Sequence, residues 1–357
     1  MLKYIFFSLL ALFLIALFIQ WPVLGKRMNA EDKNRYQKSK HFKDEFFVNK
    51  EANLIKEMRA NMSTPKLLKR YWNNTNETRP KEKIPQTKPN LKEFLSSNPY
   101  GFIWLGHSTL LIRLNNKTIL IDPVFSQTAS PLPFMVKRFQ EAPLTLSELP
   151  PIDFVVISHD HYDHLDWKTI SFFKDLPSHK QPHFIVPLGV DRHLTYWGIE
   201  KSRISAQDWW QGINIEGIEF ISTPAQHFSG RSLTQNDTLW ASWVFKTLEH
   251  SFYFSGDSGY ADHFKEIGQK YGPFDLAFLE AGQYDEMWRE VHMHPEETTQ
   301  AALDLKAKKF IPIHWGMFEL ALHRWDEPIE RLKVLSQGIE AKLISPELGQ
   351  IISTSSE

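Results

Sequence analysis

Four strand-like runs in this chain each end on a residue able to bind a metal ion, and this recurrence constrains the fold more than any other feature. Residues 152–157, apolar but for Asp153, follow Pro150-Pro151 and suit a strand buried on both faces. Ser158-His-Asp-His-Tyr-Asp-His164 follows it directly. Residues 218–223 lead through Pro224-Ala225-Gln226 to His227, residues 252–256 lead to Asp257, and residues 310–313 lead to His314. One histidine after one strand is more often a buried, backbone-bonded side chain than a ligand. Four such endings, one of them a dense His-x-His-x-Asp-His cluster, predict a fold whose sheets bring their strand ends to one place.

The cluster has a physical logic. Residues i and i+2 of an extended segment point the same way, so His159 and His161 can grip one ion. Asp163 and His164 come where the chain should turn and can face a second ion. The chain contains no cysteine, so every ligand must be His, Asp or Glu. Neutral imidazole nitrogens with charged carboxylate oxygens favour zinc over calcium or magnesium. Asp257 has two oxygens and can bridge both ions. Two ions about 3.5–4 Å apart can clamp the attacking and leaving oxygens of an in-line displacement.

Upstream the chain changes character. Residues 4–24 carry no charge, and a span of about 20 residues crosses the hydrocarbon core. This stretch reads as a single N-terminal transmembrane anchor or as a cleaved signal segment, over residues 1–25. Flanking basic residues do not settle which face of the membrane the rest occupies. Residues 26–93 carry 18 Lys/Arg against 9 Asp/Glu. They read as a basic membrane-proximal extension with one or two short helices, near 54–62 for example, or as a solvated linker. Pro80, Pro85, Pro89 and Pro99 punctuate the approach to a hydrolase domain over residues 94–357. There, residues 109–114 and 118–121 flank Asn115-Asn116-Lys117 and read as a hairpin. A helix is expected over 296–308. The formal net charge of -1 offers no reason to expect a nucleic-acid partner.

Ser158-His-Asp-His-Tyr-Asp-His164 resembles the signature of the metallo-β-lactamase superfamily. Trp104-Leu-Gly-His-Ser-Thr109, Asp122-Pro-Val-Phe-Ser126, Thr223-Pro-Ala-Gln-His227, Gly256-Asp-Ser-Gly-Tyr260 and Ile313-His-Trp-Gly316 narrow the resemblance. Together they are similar to the branch of phospholipases D that hydrolyse N-acyl-phosphatidylethanolamine, from about residue 65 to near the C-terminus. The resemblance implies an α/β fold with mixed sheets, a four-layer αββα sandwich, here preceded by the N-terminal transmembrane helix. It implies two zinc ions per chain. The first takes His159, His161 and His227; the second takes Asp163, His164 and His314; Asp257 bridges them. It also implies Asp163, Asp257 and His292 as catalytic residues, with His292 stabilising charge or protonating the leaving group, and a homodimer. His161 stands where iron-binding branches tend to have Glu, which argues for hydrolysis. Asp122 is expected to hydrogen-bond a ligand histidine. His107 is read as packing under the site and His294 as solvated.

The implied activity is hydrolysis of N-acyl-phosphatidylethanolamine to N-acylethanolamine and phosphatidic acid by a membrane-localised enzyme. The chain departs from the animal members of the branch at Val291, where they have Gln, and at Gln283-Tyr-Asp-Glu286, where they have Ala-Tyr-Glu-Pro. These departures leave the exact lipid open. A soluble ester, lactone or sugar phosphate is the alternative substrate, and a non-enzymatic, zinc-stabilised membrane scaffold the alternative class. The 131–139 segment mixes Phe134 and Met135 with Lys137 and Arg138. It reads as a loop dipping into a lipid interface or as a lid over the core. Trp209, Trp210, Trp240 and Trp243 are expected in the core.

Overall fold

The computed structural model describes residues 2–19, 21–51, 54–61, 64–96, 100–231 and 234–353. Gln20 of the uncharged stretch, Met62 of the expected short helix and Pro99 lie outside them.

Two seven-stranded sheets form the body of the protein. Before them, β1 (Phe42–Lys43) and β2 (Phe46–Phe47) make a small hairpin. The first sheet holds β3 (Tyr100–Gly106), β4 (Thr109–Leu114), β5 (Lys117–Ile121), β6 (Phe154–Val156), β7 (His183–Pro187) and β8 (Ile204–Gln207). The second holds β9 (Gly212–Ile215), β10 (Ile218–Thr223), β11 (Ser242–Lys246), β12 (Ser251–Phe254), β13 (Phe274–Glu280), β14 (Ala307–Ile313) and β15 (Lys342–Leu343). The chain then returns as β16 (Ile351–Ser353) to the edge of the first sheet, beside β3. Both sheets are mixed: β3–β4–β5 pair antiparallel and β5–β6–β7–β8 parallel. The expected hairpin is β4–β5, and Asn115 and Asn116 at its tip both take positive φ, 49° and 58°. That is the backbone of a two-residue turn matching strand twist, which Asn tolerates.

Strand alternation builds four layers. Leu110, Ile112 and Leu114 of β4 point between the sheets, where they meet Phe220, Trp243, Phe252 and Phe278. Leu111 points outward against Ile170, Phe173 and Leu194. Those belong to helices that cover the first sheet. In order, the helices are α1 (Leu2–Ile19), α2 (Ala30–Tyr36), α3 (Leu54–Asn61), α4 (Thr64–Asn73), α5 (Leu91–Leu95), α6 (Trp167–Asp175), α7 (Val190–Tyr196), α8 (His263–Tyr271), α9 (Pro295–Asp304) and α10 (Glu327–Leu335). α6 and α7 cover the first sheet, while α8, α9 and α10 bring Phe264, Ile267, Ala301 and Leu332 onto the second. The order is therefore helix, sheet, sheet, helix, each sheet apolar on both faces. α9 stops at Asp304, four residues short of the expected end, because Lys306 at φ 55° turns the chain into β14.

The expected N-terminal membrane anchor is not supported. Among the described residues no helix is long and apolar enough to cross a membrane. α1 has 18 residues and reaches about 27 Å at 1.5 Å per residue, against a hydrocarbon core of about 30 Å. The uncharged stretch does not continue as one helix. Trp21–Leu24 forms a 3-10 turn whose carbonyls serve the folded body: Trp197 Nε1 donates to Pro22 O (2.7 Å), and Arg231 donates to Val23 O from Nε (3.1 Å) and NH2 (2.8 Å). The single-pass membrane localisation built on that helix falls with it. Further along, Tyr36 and Phe47 are fully buried in the intersheet cluster. Phe47→Ala should therefore lower the unfolding free energy by about 3 kcal/mol, the range for truncating a core phenylalanine. Denaturant titration followed by circular dichroism measures it, and a loss below about 0.5 kcal/mol would show that this segment is not part of the core.

Candidate metal centre

The candidate site lies where strands of both sheets end, and its first support is Asp122, straight after β5. Asp122 is fully buried, accepts Ser158 N–H (2.7 Å) and Ser158 Oγ–H (2.5 Å), and accepts His164 Nδ1–H (2.7 Å). Burial pushes its carboxyl up, and His164 opposes that shift. This bond fixes the tautomer of His164 and aims Nε2 into the site. There Nε2 stands 3.1 Å from Asp257 Oδ2 and 3.5 Å from Asp163 Oδ2, with no hydrogen-bond partner of its own.

The remaining expected ligands close around it. His159 Nε2 and His227 Nε2 approach His161 Nδ1 to 2.9 and 3.2 Å, and each is 3.7 Å from Asp257 Oδ2. His227 follows β10; its Nδ1–H donates to Val291 O (3.1 Å), and Asn49 bonds both its backbone N–H and C=O. Asp257 follows β12 through Gly256 at φ 58°; its Oδ1 is 3.0 Å from His314 Nδ1 but makes no hydrogen bond. His314 follows β14 directly, and Ser108 Oγ lies 3.2 Å from its Nδ1. Ligand atoms at the site fall into two groups of four, His159, His161, His227 and Asp257 in one and His107, Asp163, His164 and His314 in the other, with a smaller group of Asp257, His292 and His314. All seven expected ligands are thus gathered, with Asp257 reaching both groups. His107 joins the second group by donating from Nε2 to Asp163 Oδ2 (2.9 Å). His107, Asp122 and His314 all hold positive φ (52°, 39° and 64°), strain of the kind that collects at functional sites.

The donor set fits a bound metal ion. Burial drives His159, His227 and His314 well below the ordinary histidine pKa, so they present lone pairs at neutral pH. Burial opposes the charge of Asp163, yet His164 and His107 beside it hold its carboxyl well below the usual range. His164 Nε2 and Asp257 Oδ1 are buried, unpartnered and aimed into the site, which is costly in an apolar interior and natural for metal ligands.

Several neighbours were not foreseen. Glu280, at the end of β13, is fully buried and accepts Nδ1–H of His292 in a short bond. Burial pushes its carboxyl up to about 8, against the pull of His292. The signal was present: β13 is a fifth apolar strand ending on a titratable residue. His292 itself stacks at 5.3 Å on His314 and lies 5.1 Å from His227. Arg231 clamps the metal loop, donating from NH1 to Asp160 O and Leu165 O, both at 2.7 Å. Asp160, His193 and Asp237 also cluster, but their polar atoms are already engaged. His193 bonds Asp160 (3.3 Å) and accepts Lys26 N–H (2.9 Å), and Asp237 pairs with Arg192 (2.9 Å).

A cavity of about 340 Å³ opens on the site. His161, Asp163, Asp257, His292 and His314 form its floor, and Met58, Leu67, Tyr71, Phe228, Trp288 and Leu320 its walls. The 131–139 segment does not line it. Phe134, Met135 and Lys137 are exposed, but Arg138 is buried rather than at a lipid face, because its guanidinium donates to Val124 O (2.6 Å) and lies over the Phe318 ring. His294, expected in solvent, is also buried and packs on Tyr284. Trp209, Trp240 and Trp243 are core residues, with Trp210 packed against the core.

Residues 117–315 match the β-lactamase superfamily domain, more than half of the chain. Fold, site and match together define a metal-dependent hydrolase, and the chain belongs to the metallo-β-lactamase superfamily. It is 33% identical to the N-acyl-phosphatidylethanolamine-hydrolyzing phospholipase D 1 of Caenorhabditis elegans, over 72% of this chain and 77% of that one. It is 41% identical to an uncharacterized protein of Mycobacterium tuberculosis, over 76% and 73%. Among solved structures it resembles an isothiocyanate hydrolase from Delia radicum gut bacteria (TM-score 0.55, 19% identity, 71% of this chain and 98% of that one), a likeness of fold.

If Asp122 orients His164, Asp122→Ala should weaken metal binding 10- to 100-fold, as loss of a partner behind a ligand histidine does. Competition against a chromophoric chelator reads this directly; an unchanged affinity would show that His164 is oriented without it.

Proposed function

We propose that this hydrolase carries two zinc ions and cleaves N-acyl-phosphatidylethanolamine to N-acylethanolamine and phosphatidic acid. The observation that carries the reading is the cavity: apolar walls standing directly on a floor of carboxylates and imidazoles. A lipid phosphodiester needs both at once, whereas a sugar phosphate needs a small polar pocket. The phospholipase D relative supports the same class of bond.

His159, His161 and His227 would hold one ion and Asp163, His164 and His314 the other, with Asp257 shared. Zinc bound there supplies Lewis acidity, lowering the pKa of water and neutralising phosphoryl charge. Asp163 and Asp257 fix the charge balance of the floor. His292, on the cavity floor, donates from Nδ1 to Glu280, and its imidazole would give a proton to the departing N-acylethanolamine oxygen. Met58, Leu67 and Phe228 exclude water around the apolar part of the substrate.

Purified protein loaded with zinc should release N-acylethanolamine and phosphatidic acid from N-acyl-phosphatidylethanolamine, read by mass spectrometry beside ordinary phosphatidylethanolamine. Asp257→Asn should reduce the rate by about two orders of magnitude or more, and a strong chelator should abolish it. Metal-loaded protein that turns over neither lipid would reject this substrate class.

A further inference from the structure

The cavity has one wall that the rest of the sandwich does not supply. α4 presents Leu67 and Tyr71, four residues apart and so on one helical face, to the metal floor. Its flank with Lys69, Arg70 and Asn73 lines a second, polar cavity of about 620 Å³. α4 is therefore a partition between the two. Its outer side is open: Leu68 and Trp72 are 63% and 90% exposed. A helix so little buried needs another tie, and Arg70 provides one. Its NH1 and NH2 donate to Asp285 Oδ1 and Oδ2, both at 2.6 Å. The Asp285 side chain is only 5% exposed and also accepts Met287 N–H (2.9 Å). The fork is thus bidentate onto a fixed, buried carboxylate, the geometry in which such pairs are strongest.

The same turn brings Gln283 and Trp288 into the metal-floor cavity, so the ion pair joins two of its walls. Val291 of the following loop packs with Ile55 and Met58 of α3, which ties that helix to the same side of the cavity.

We propose that α3 and α4 form the wall that selects a substrate by its apolar chain, and that Arg70–Asp285 is the latch holding this wall over the metal floor. The proposal rests on the phosphodiesterase reading for the reacting bond, but not for the apolar chain. Met58, Leu67 and Tyr71 contact the chain; Arg70 is a positioning residue that never meets it.

The test uses the full chain and a series of 4-nitrophenyl alkyl phosphate diesters from ethyl to dodecyl. The matching non-hydrolysable phosphonates are titrated by calorimetry. In the unmodified protein affinity should rise roughly fourfold per methylene until the cavity is filled. Leu67→Ala should flatten that rise. Arg70→Gln should raise KM for the dodecyl diester about tenfold more than for the ethyl one, with kcat less affected, and Arg70→Lys should fall between. Circular dichroism and melting curves establish that each variant is folded, and Leu67→Ala tests the wall even if the latch variants are unstable. Equal binding of ethyl and dodecyl compounds overturns the proposal, as does a preference for chain length that both variants retain. A preference that the variants abolish, in a protein that cleaves no diester, supports the wall and rejects the phosphodiesterase reading instead.

Discussion

The meeting of two sheets at the carboxylate of Asp257 is the contact on which the architecture turns. Asp257 comes from the second sheet, yet its oxygens stand 3.1 Å from His164, on the first, and 3.0 Å from His314, on its own. Bringing such groups together in a buried place is unfavourable unless a cation balances them. Everything around the carboxylate serves to hold that arrangement: Asp122 behind His164, Asn49 and Val291 behind His227, Ser108 beside His314. These partners fix ring orientation before any ion arrives, so the rigidity of the sandwich becomes preorganisation of the site.

Much of this was legible in the sequence because strand patterning and ligand chemistry are local signals. An apolar run followed by His or Asp needs no tertiary information to be noticed, and counting such runs predicts that their ends meet; the division of ligands around Asp257 is what the family resemblance implies. What escaped depends on partners far away in the chain. Glu280 looks like the last residue of a strand until His292 is seen against it. Arg138 in an apolar segment suggests a lipid-facing loop, but backbone carbonyls of a neighbouring loop draw it inward. The uncharged N-terminal stretch is long enough on paper to span a bilayer. Hydropathy does not register that α1 ends at Ile19 and that the following carbonyls bond Trp197 and Arg231.

The segment over residues 26–93 also changes the meaning of the cavity. Read as sequence it is a basic extension with little apolar periodicity. In space it supplies Asn49 to the backbone of His227, Phe47 to the core, and Met58, Leu67 and Tyr71 to the cavity wall. The superfamily sandwich holds the metal-type residues, while this segment lines the cavity above them. The division is physically sensible, since strand ends are rigid and short helices packed on an edge tolerate change.

Arg231 makes the first residues of the folded body part of that chemistry. Its buried guanidinium grips the metal loop on one side and Val23 on the other. Proteolytic trimming of the chain to residue 30 would remove Val23 as the acceptor of Arg231 Nε–H and NH2–H and leave that side of the guanidinium to water. The loss would fall on the loop that carries His159, His161 and His164, so a shortened protein should lose metal before it loses its shape.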